Sequence, residues 1–200
     1  VAASASSMNT VASSVNGMDA IAGSSIAMPI ITASATAMNA ISANADAFAN
    51  LLSSSFFAAN RKNALANLAG LAPAGYADIN AMIDDADALT AIVASPKAVA
   101  VLAGDSAALG HLATSANLGI VLNSTIAMGI LGPNTVAMSA FLGNPDAWAT
   151  LFASSTVKGY IVSSTALVDI VAGNDDLKAY LFSISAVKTA GGVPDGNASS

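Results

Sequence analysis

Cysteine is absent from the chain, and only 9% of its 200 residues are charged and 5% aromatic. Without cysteine there is no disulfide framework and no thiolate metal site, a state compatible with any compartment. The basic residues Arg61, Lys62, Lys97, Lys158, Lys178 and Lys188 are scattered through a chain of net charge −6. That pattern excludes the clustered basic footprint of a nucleic-acid binder. Histidine occurs once, at His111; acid–base catalysis needs a positioned partner, and this side chain is expected to face solvent from a helix flank. GxSxG, GxxxxGK[ST] and HExxH are all missing, so the signatures that carry a catalytic mechanism are missing with them. The expectation is a non-enzymatic protein with no catalytic residues, no cofactor and no metal ligand.

Unbroken hydrophobic runs are lacking too. Leu112 to Pro145 holds no charged residue, but Thr114, Asn117, Asn123, Pro133 and Asn134 interrupt it, whereas a spanning helix needs about 20 predominantly apolar residues in succession. No membrane span is expected. Residue 1 is valine and no basic, signal-like stretch precedes the repeats, which gives the look of a processed product or of part of something longer.

What is present is a hydrophobic chain, 54% apolar with a mean hydropathy of +0.66, in which alanine and aliphatic residues replace aromatics. Disorder is excluded, because disordered chains are poor in apolar residues and rich in charge. The apolar residues recur every ten positions. In STIAMGILGPNTVAMSAFLGNPDAWATLFAS, Ser124 to Ser154, each unit opens on a polar residue and places a large apolar one four and seven residues later, usually with alanine at the third place. Positions three and four apart share one face of a helix, and a strand would alternate every second residue instead.

The fourth place of successive units supplies the expected core: Met8, Met18, Met28, Met38 and Phe48 in the first array, Leu89, Val99, Leu109 and Leu118 in the second. It continues through Met128, Met138, Trp148, Leu167 and Leu177. The openers Ser14, Ser24, Ser34, Asn44, Asp85, Ser95, Asp105, Ser124, Asn134 and Asn144 are side chains suited to cap the free N–H groups of a first helical turn. Pro96 and Pro145 stand one place after their openers, the first helical position, where a missing N–H costs nothing. Pro29 falls five places after Ser24 and requires that helix to be broken or to begin late. Later units are read with openers at Gly75, Thr114, Ser154, Ser163, Gly173 and Ser183.

The fold class expected is all-α: a solenoid of short helices of about seven residues, one per repeat. The alternative is a β-solenoid, disfavoured by alanine, methionine and leucine at the packing places. Such rods, roughly 10 Å long, are too short to stand alone, so stacked units must merge their apolar stripes. Two helices per coil are preferred and three held in reserve. Residues 1–53 form a first array, 54–84 an irregular helical junction with a helix around Arg61 to Leu71, 85–189 a second array, and 190–200 a flexible tail or linker. Because the repeat is in register from Ser4, Met8 and Val11 are expected on an open core face that promotes self-association.

The carboxylate clusters at Asp84, Asp85 and Asp87 and at Asp175 and Asp176 lie at expected helix starts, where negative charge suits the helix dipole, and they lack the spaced oxygens of a calcium loop. Asn123-Ser-Thr and Asn197-Ala-Ser match the glycosylation acceptor pattern, which arises readily by chance in a chain this rich in Ser, Thr and Asn.

The units SSIAMPIITA, SATAMNAISA and STIAMGILGP resemble the S-x-x-A-M-x-A-[IV] decads that fill repeat regions of bacteriophage tail-fibre and virion structural proteins. The resemblance covers residues 4–53 well and 85–187 more loosely, and leaves the junction outside. It implies a shaft, spacer or adhesin-supporting segment, located in a virion or extracellular fibre, whose partners are copies of itself or other fibre subunits, with a host-surface ligand as a further partner. The rival expectation is a binding module using the exposed solenoid face for a glycan, a protein or ice.

Overall fold

The computed structural model describes the backbone of residues 2–190 and the side chains of residues 2–184. The tail call on 190–200, Asn197 and the side chain of Val187 therefore fall wholly or mainly outside the described residues. Those residues form an all-α solenoid without a strand. The first array holds α1 (Ala5–Ala12), α2 (Val15–Ala22), α3 (Ala27–Thr32), α4 (Ala35–Ser42) and α5 (Ala45–Ser53). A 3₁₀ turn at Ala58–Asn60, α6 (Arg61–Leu68), a second 3₁₀ turn at Pro73–Gly75 and α7 (Ile79–Asp84) make up the junction. Next come α8 (Ala86–Ala94), α9 (Pro96–Ala103), α10 (Ser106–Thr114), α11 (Leu118–Asn123), α12 (Thr125–Leu131), α13 (Thr135–Leu142) and α14 (Pro145–Ala153). The chain continues through α15 (Ser155–Ser163), α16 (Thr165–Gly173) and α17 (Asp175–Ala190).

Most helices start where an opener caps them; α6 and α11, which follow Asn60 and Asn117, have no side-chain cap. Ser14 Oγ accepts from Gly17 N, Ser34 Oγ from Ala37 N and Ser95 Oγ from Ala98 N. Asn44, Asp105 and Asn134 do the same with a side-chain Oδ1 for the N–H three residues on, and Asp85 holds two N–H groups at once. Asn144 accepts from Asp146 N, one residue nearer, with Pro145 in the first helical place. Ser24 bonds Ala27 N, but α3 begins only at Ala27 and lasts six residues: the late start puts Pro29 within the first turn, where it displaces no helical hydrogen bond.

Three helices, not two, complete a coil. α1 packs on α4, α2 on α5 and α3 on α6; after the junction α7 packs on α10, α8 on α11, α9 on α12 and α10 on α13. The serine hydroxyls help to fix this period. Ser34 Oγ donates to Ala2 O across 2.6 Å while capping α4, and Ser124 Oγ donates to Val93 O across 3.1 Å while capping α12. A hydroxyl has one donor and two acceptor sites, so one side chain caps its own helix and satisfies a terminal carbonyl of the preceding coil. A carboxylate opener such as Asp105 can only accept. Asn67 and Asn117 make the equivalent inter-coil link with an amide, to Thr32 O and to Ile83 O and Asp84 O.

The stacking gives each place in the repeat a direction. The third and sixth places face the preceding coil, the fourth and eighth the following one, and the seventh is shared. Tyr180, sixth in α17, lies with its ring centroid 5.4 Å from that of Trp148 and 6.2 Å from that of Phe152, fourth and eighth in α14. Gly132, eighth after Ser124, sits so close to the Tyr160 ring, sixth in α15, that a Cβ there would lie 2.5 Å from its carbons. Alanines at the third place, Ala37, Ala98, Ala127 and Ala137, are fully buried; their small size lets helices approach and leaves the volume to the large residue beside them.

The end coils break the pattern in an ordered way. Met8 is fully buried because the fourth place of α1 faces inward onto α4, so the expectation that Met8 opens an exposed core face is corrected. What α1 turns outward is Ser7 and Thr10, at the places where α4 buries Ala37 and Ala40. In the last coil Val157, Leu167 and Leu177 are buried at the third place, counted from the actual caps Ser154, Ser164 and Asn174. The openers assigned to Ser163 and Gly173 are therefore one residue early. The fourth place, methionine or another large apolar residue in inner coils, becomes Lys158, Val168 and Lys178. Nothing lies beyond it among the described residues; lysine takes two of these three places, while Val168, and Val162 and Phe182 at the eighth place, keep apolar side chains exposed on the same face. Ser183 opens no new helix; it lies within α17.

Two other openers move. α7 is capped by Asp78, not Gly75, and its buried pair is Met82 and Ile83, leaving Ile79 half-buried. Thr114 ends α10, and the turn into α11 is built on Ser115, whose Oγ accepts from Asn117 N.

No single helix among the described residues is long and apolar enough to cross a membrane. The two most apolar consecutive pairs, α8 with α9 and α12 with α13, bend by 106° and 101°, as a coil of short rods requires.

Candidate functional site

The polar chemistry of the molecule collects where the repeat fails. α6 stops at Leu68 because Gly70 adopts φ +73°, and the chain folds back through bonds from Leu71 N to Ala66 O and Gly70 N to Asn67 O. This left-handed glycine cap satisfies carbonyls that the next turn would have used. It ends the helix three residues short of the expected Leu71, and the extra residues on both sides of α6 open a cleft of about 480 Å³ between α6, α7 and the start of α10.

Arg61 anchors one side. Its guanidinium stands 3.3 Å from Asp105 Oδ2, both side chains being mostly buried, and lies 5.8 Å from the centroid of the buried Phe57 ring. Asp105 is thereby committed twice, to Arg61 and to capping α10. Lys62 Nζ donates to Tyr76 O across 3.0 Å, tying α6 to the strand-like segment before α7. The Tyr76 hydroxyl donates to Asp85 Oδ2 at 3.3 Å; partial desolvation first, then the Asp85 and Asp87 charges, push this phenol above its ordinary pKa.

Asn60, Asn63, Asp78 and Asn80 complete the polar lining; Asn60 donates its amide to Phe56 O and Asp78 caps α7. Asn63 is half-buried, Asn80 exposed, and neither amide has a partner among the described residues. Ala58, Ala59, Ala77, Ala107, Ala108 and Ile79 provide the apolar wall.

His111 does not stand free in solvent. Its Nε2 lies 2.8 Å from Asp84 Oδ1, joining α10 to α7 as Asn50 joins Asp19 across 2.6 Å in the first array. The dense carboxylates disperse: Asp84 meets His111, Asp85 caps α8, and Asp87 lies in that helix's first turn. Asp175 contacts Lys178 at 2.6 Å, and that hydrogen bond, with the lysine charge, holds its carboxyl below the usual range. Among the described residues no group of three or more His, Cys, Asp or Glu could hold a metal.

The residues expected in the core are placed as follows. Met8, Met18, Met28, Met38, Phe48, Leu89, Val99, Leu109, Leu118, Met128, Met138, Trp148, Leu167 and Leu177 are each 6% exposed or less. The Trp148 indole donates Nε1–H to Leu142 O at 2.8 Å, so it is a packing residue with its one polar atom satisfied. The cleft residues Asn63, Asn80 and Lys62 were not singled out by sequence. The available signal was the loss of register itself. No protein-family model, curated protein or solved structure matches the chain.

Proposed function

We propose that the chain is a non-enzymatic structural segment, a stiff spacer within a fibre or virion. The observation that carries this reading is the continuous core, fully or nearly buried from Met8 in the first coil to Leu177 in the last, to which every helix contributes and whose buried members among the described residues include no titratable side chain. A solenoid of this kind gains length by adding coils, each about 8–10 Å thick at helix-packing distance, without altering those already present. Its partners in such an assembly are other subunits of the fibre or copies of the chain. The resemblance of the decads to phage tail-fibre repeats supports the setting.

The test is to raise antibodies against the folded chain and apply them to purified particles from the source, with immunogold microscopy and mass spectrometry of isolated fibres. Label along a fibre or virion is expected. A chain recovered only as a free monomer, with no label on any particle, would remove this reading. The binding-module reading is favoured by one observation, the junction cleft.

A further inference from the structure

We infer that the junction cleft is a binding site for a neutral polyhydroxylated ligand, a sugar or short glycan, recognised chiefly by the amides of Asn63 and Asn80. Both line the cleft, and both lack an internal partner among the described residues. Each amide offers two donors and an acceptor, the capacity that pairs with adjacent hydroxyl groups.

The remaining polar groups narrow the ligand class. Lys62 already donates to Tyr76 O, Asp78 Oδ1 caps α7 by accepting from Ala81 N, and Asp105 is held by Arg61 and by Ala108 N. With the Arg61 guanidinium that pairs with Asp105 counted beside Lys62, two cations face the two carboxylates Asp78 and Asp105, a balance that offers neither a phosphate nor a free cation a concentrated opposite charge. Lone pairs left on Asp78 and Asp105 and the N–H groups left on Lys62 remain able to bond neutral hydroxyls. The alanine and Ile79 wall suits the C–H face of a sugar ring, and about 480 Å³ is within the usual range for small-ligand pockets, roughly 300–1,000 Å³.

The local sequence also departs from its own rule here. In place of a regular ten-residue unit the chain has a left-handed glycine, a short α6 and a mostly buried Arg61 whose Nε has no partner. Breaks in an otherwise consistent pattern concentrate at functional sites.

The inference does not depend on the fibre reading, because it concerns the purified chain alone. The experiment is saturation-transfer NMR on the 200-residue chain with glucose, galactose, N-acetylglucosamine and lactose, and with inorganic phosphate and ethylammonium as charged comparisons. At least one sugar should receive saturation, with its affinity falling about tenfold or more in Asn63→Ala/Asn80→Ala, since two hydrogen bonds of ordinary strength are lost. Asn39→Ala, an exposed amide on α4, should leave it unchanged. Thermal melts of the double variant should match the parent, because neither amide holds the fold together. No transfer to any of the four sugars, equal binding by the double variant, or stronger binding of phosphate than of every sugar would each overturn the proposal.

Discussion

The first and last coils solve the same problem in opposite ways. Every inner helix is covered on both stacking faces, whereas α1 to α3 have no coil before them and α15 to α17 none after them among the described residues. The first coil keeps methionine at the fourth place, because that place faces inward, and lightens most of its outward places, to Ser7, Thr10, Gly17, Ala20 and Ala27, with Ile30 of α3 the large apolar exception. The last coil keeps its inward third place large, as Val157, Leu167 and Leu177, and turns two of its outward methionine positions into Lys158 and Lys178. The identity of a repeat position therefore follows from which neighbour it meets, and one consensus splits into two when a neighbour is removed.

The largest test of that difference is a charge at the fourth place. Met138→Asp puts a carboxylate into a fully buried site between coils and should cost several kcal/mol, about the price of burying an unpaired charge after relaxation. Ser139→Asp, next to it and partly exposed, should change stability by about 0.5 kcal/mol or less. Met8→Asp should be as disruptive locally but should release only the first coil, because each coil contacts mainly its neighbours. Hydrogen exchange would show protection lost in α1–α3 for Met8→Asp and across the stack for Met138→Asp. Equal spreading in both would mean that the array melts as one unit.

A smaller effect is expected where two coils approach most closely. Gly132→Ala drives a methyl against Tyr160 and should destabilise by about 1–3 kcal/mol, the usual cost of overpacking. Gly129→Ala, in the same helix with open space around it, should stabilise by roughly 0.5–1 kcal/mol through helix propensity. Chemical denaturation of both would read the contrast, and equal shifts would dissociate Gly132 from the Tyr160 contact.

The two ends can also be made alike. Lys158→Met with Lys178→Met restores the inner-coil residue on the outward face and should promote concentration-dependent association in sedimentation, where the parent should remain the less associated of the two. Ser7→Ala with Thr10→Ala should do the same more weakly, since a methyl-sized change exposes less apolar area. Parent and both variants sedimenting identically would show that the lysines do not guard the end.

The smallest effects are those of pH. Asp175 has a folded pKa below its unfolded value, because Lys178 donates to it, so its contribution is present above the ordinary carboxylate range and lost as pH falls through the depressed value. Tyr76 is shifted upward, so its contribution is complete below the ordinary phenol pKa and lost as pH rises through the raised one. Acid should loosen the start of α17 and alkali the junction, each slightly, since Asp175 is exposed and Tyr76 only half-buried. The Lys178→Met and Tyr76→Phe variants should flatten the respective limbs of a stability profile.

The sequence by itself determined the element type, the place of most caps and the stripe of large residues, because a cap and an i, i+4 pair are local: Ser34 needs only the N–H of Ala37, and Met38 follows from the same turn. It could not determine that three helices close a coil, because that choice rests on groups some 30 residues apart, such as Ser34 with Ala2 and Ser124 with Val93. For the same reason Leu167 and Leu177 were assigned to the core from openers one residue early: inward and outward places differ only in having a neighbouring coil. His111 and the cleft at Asn63 and Asn80 likewise depended on which distant turn the stack brings alongside. Local hydrogen bonding writes the helices, and only packing between coils decides which side of each helix is inside.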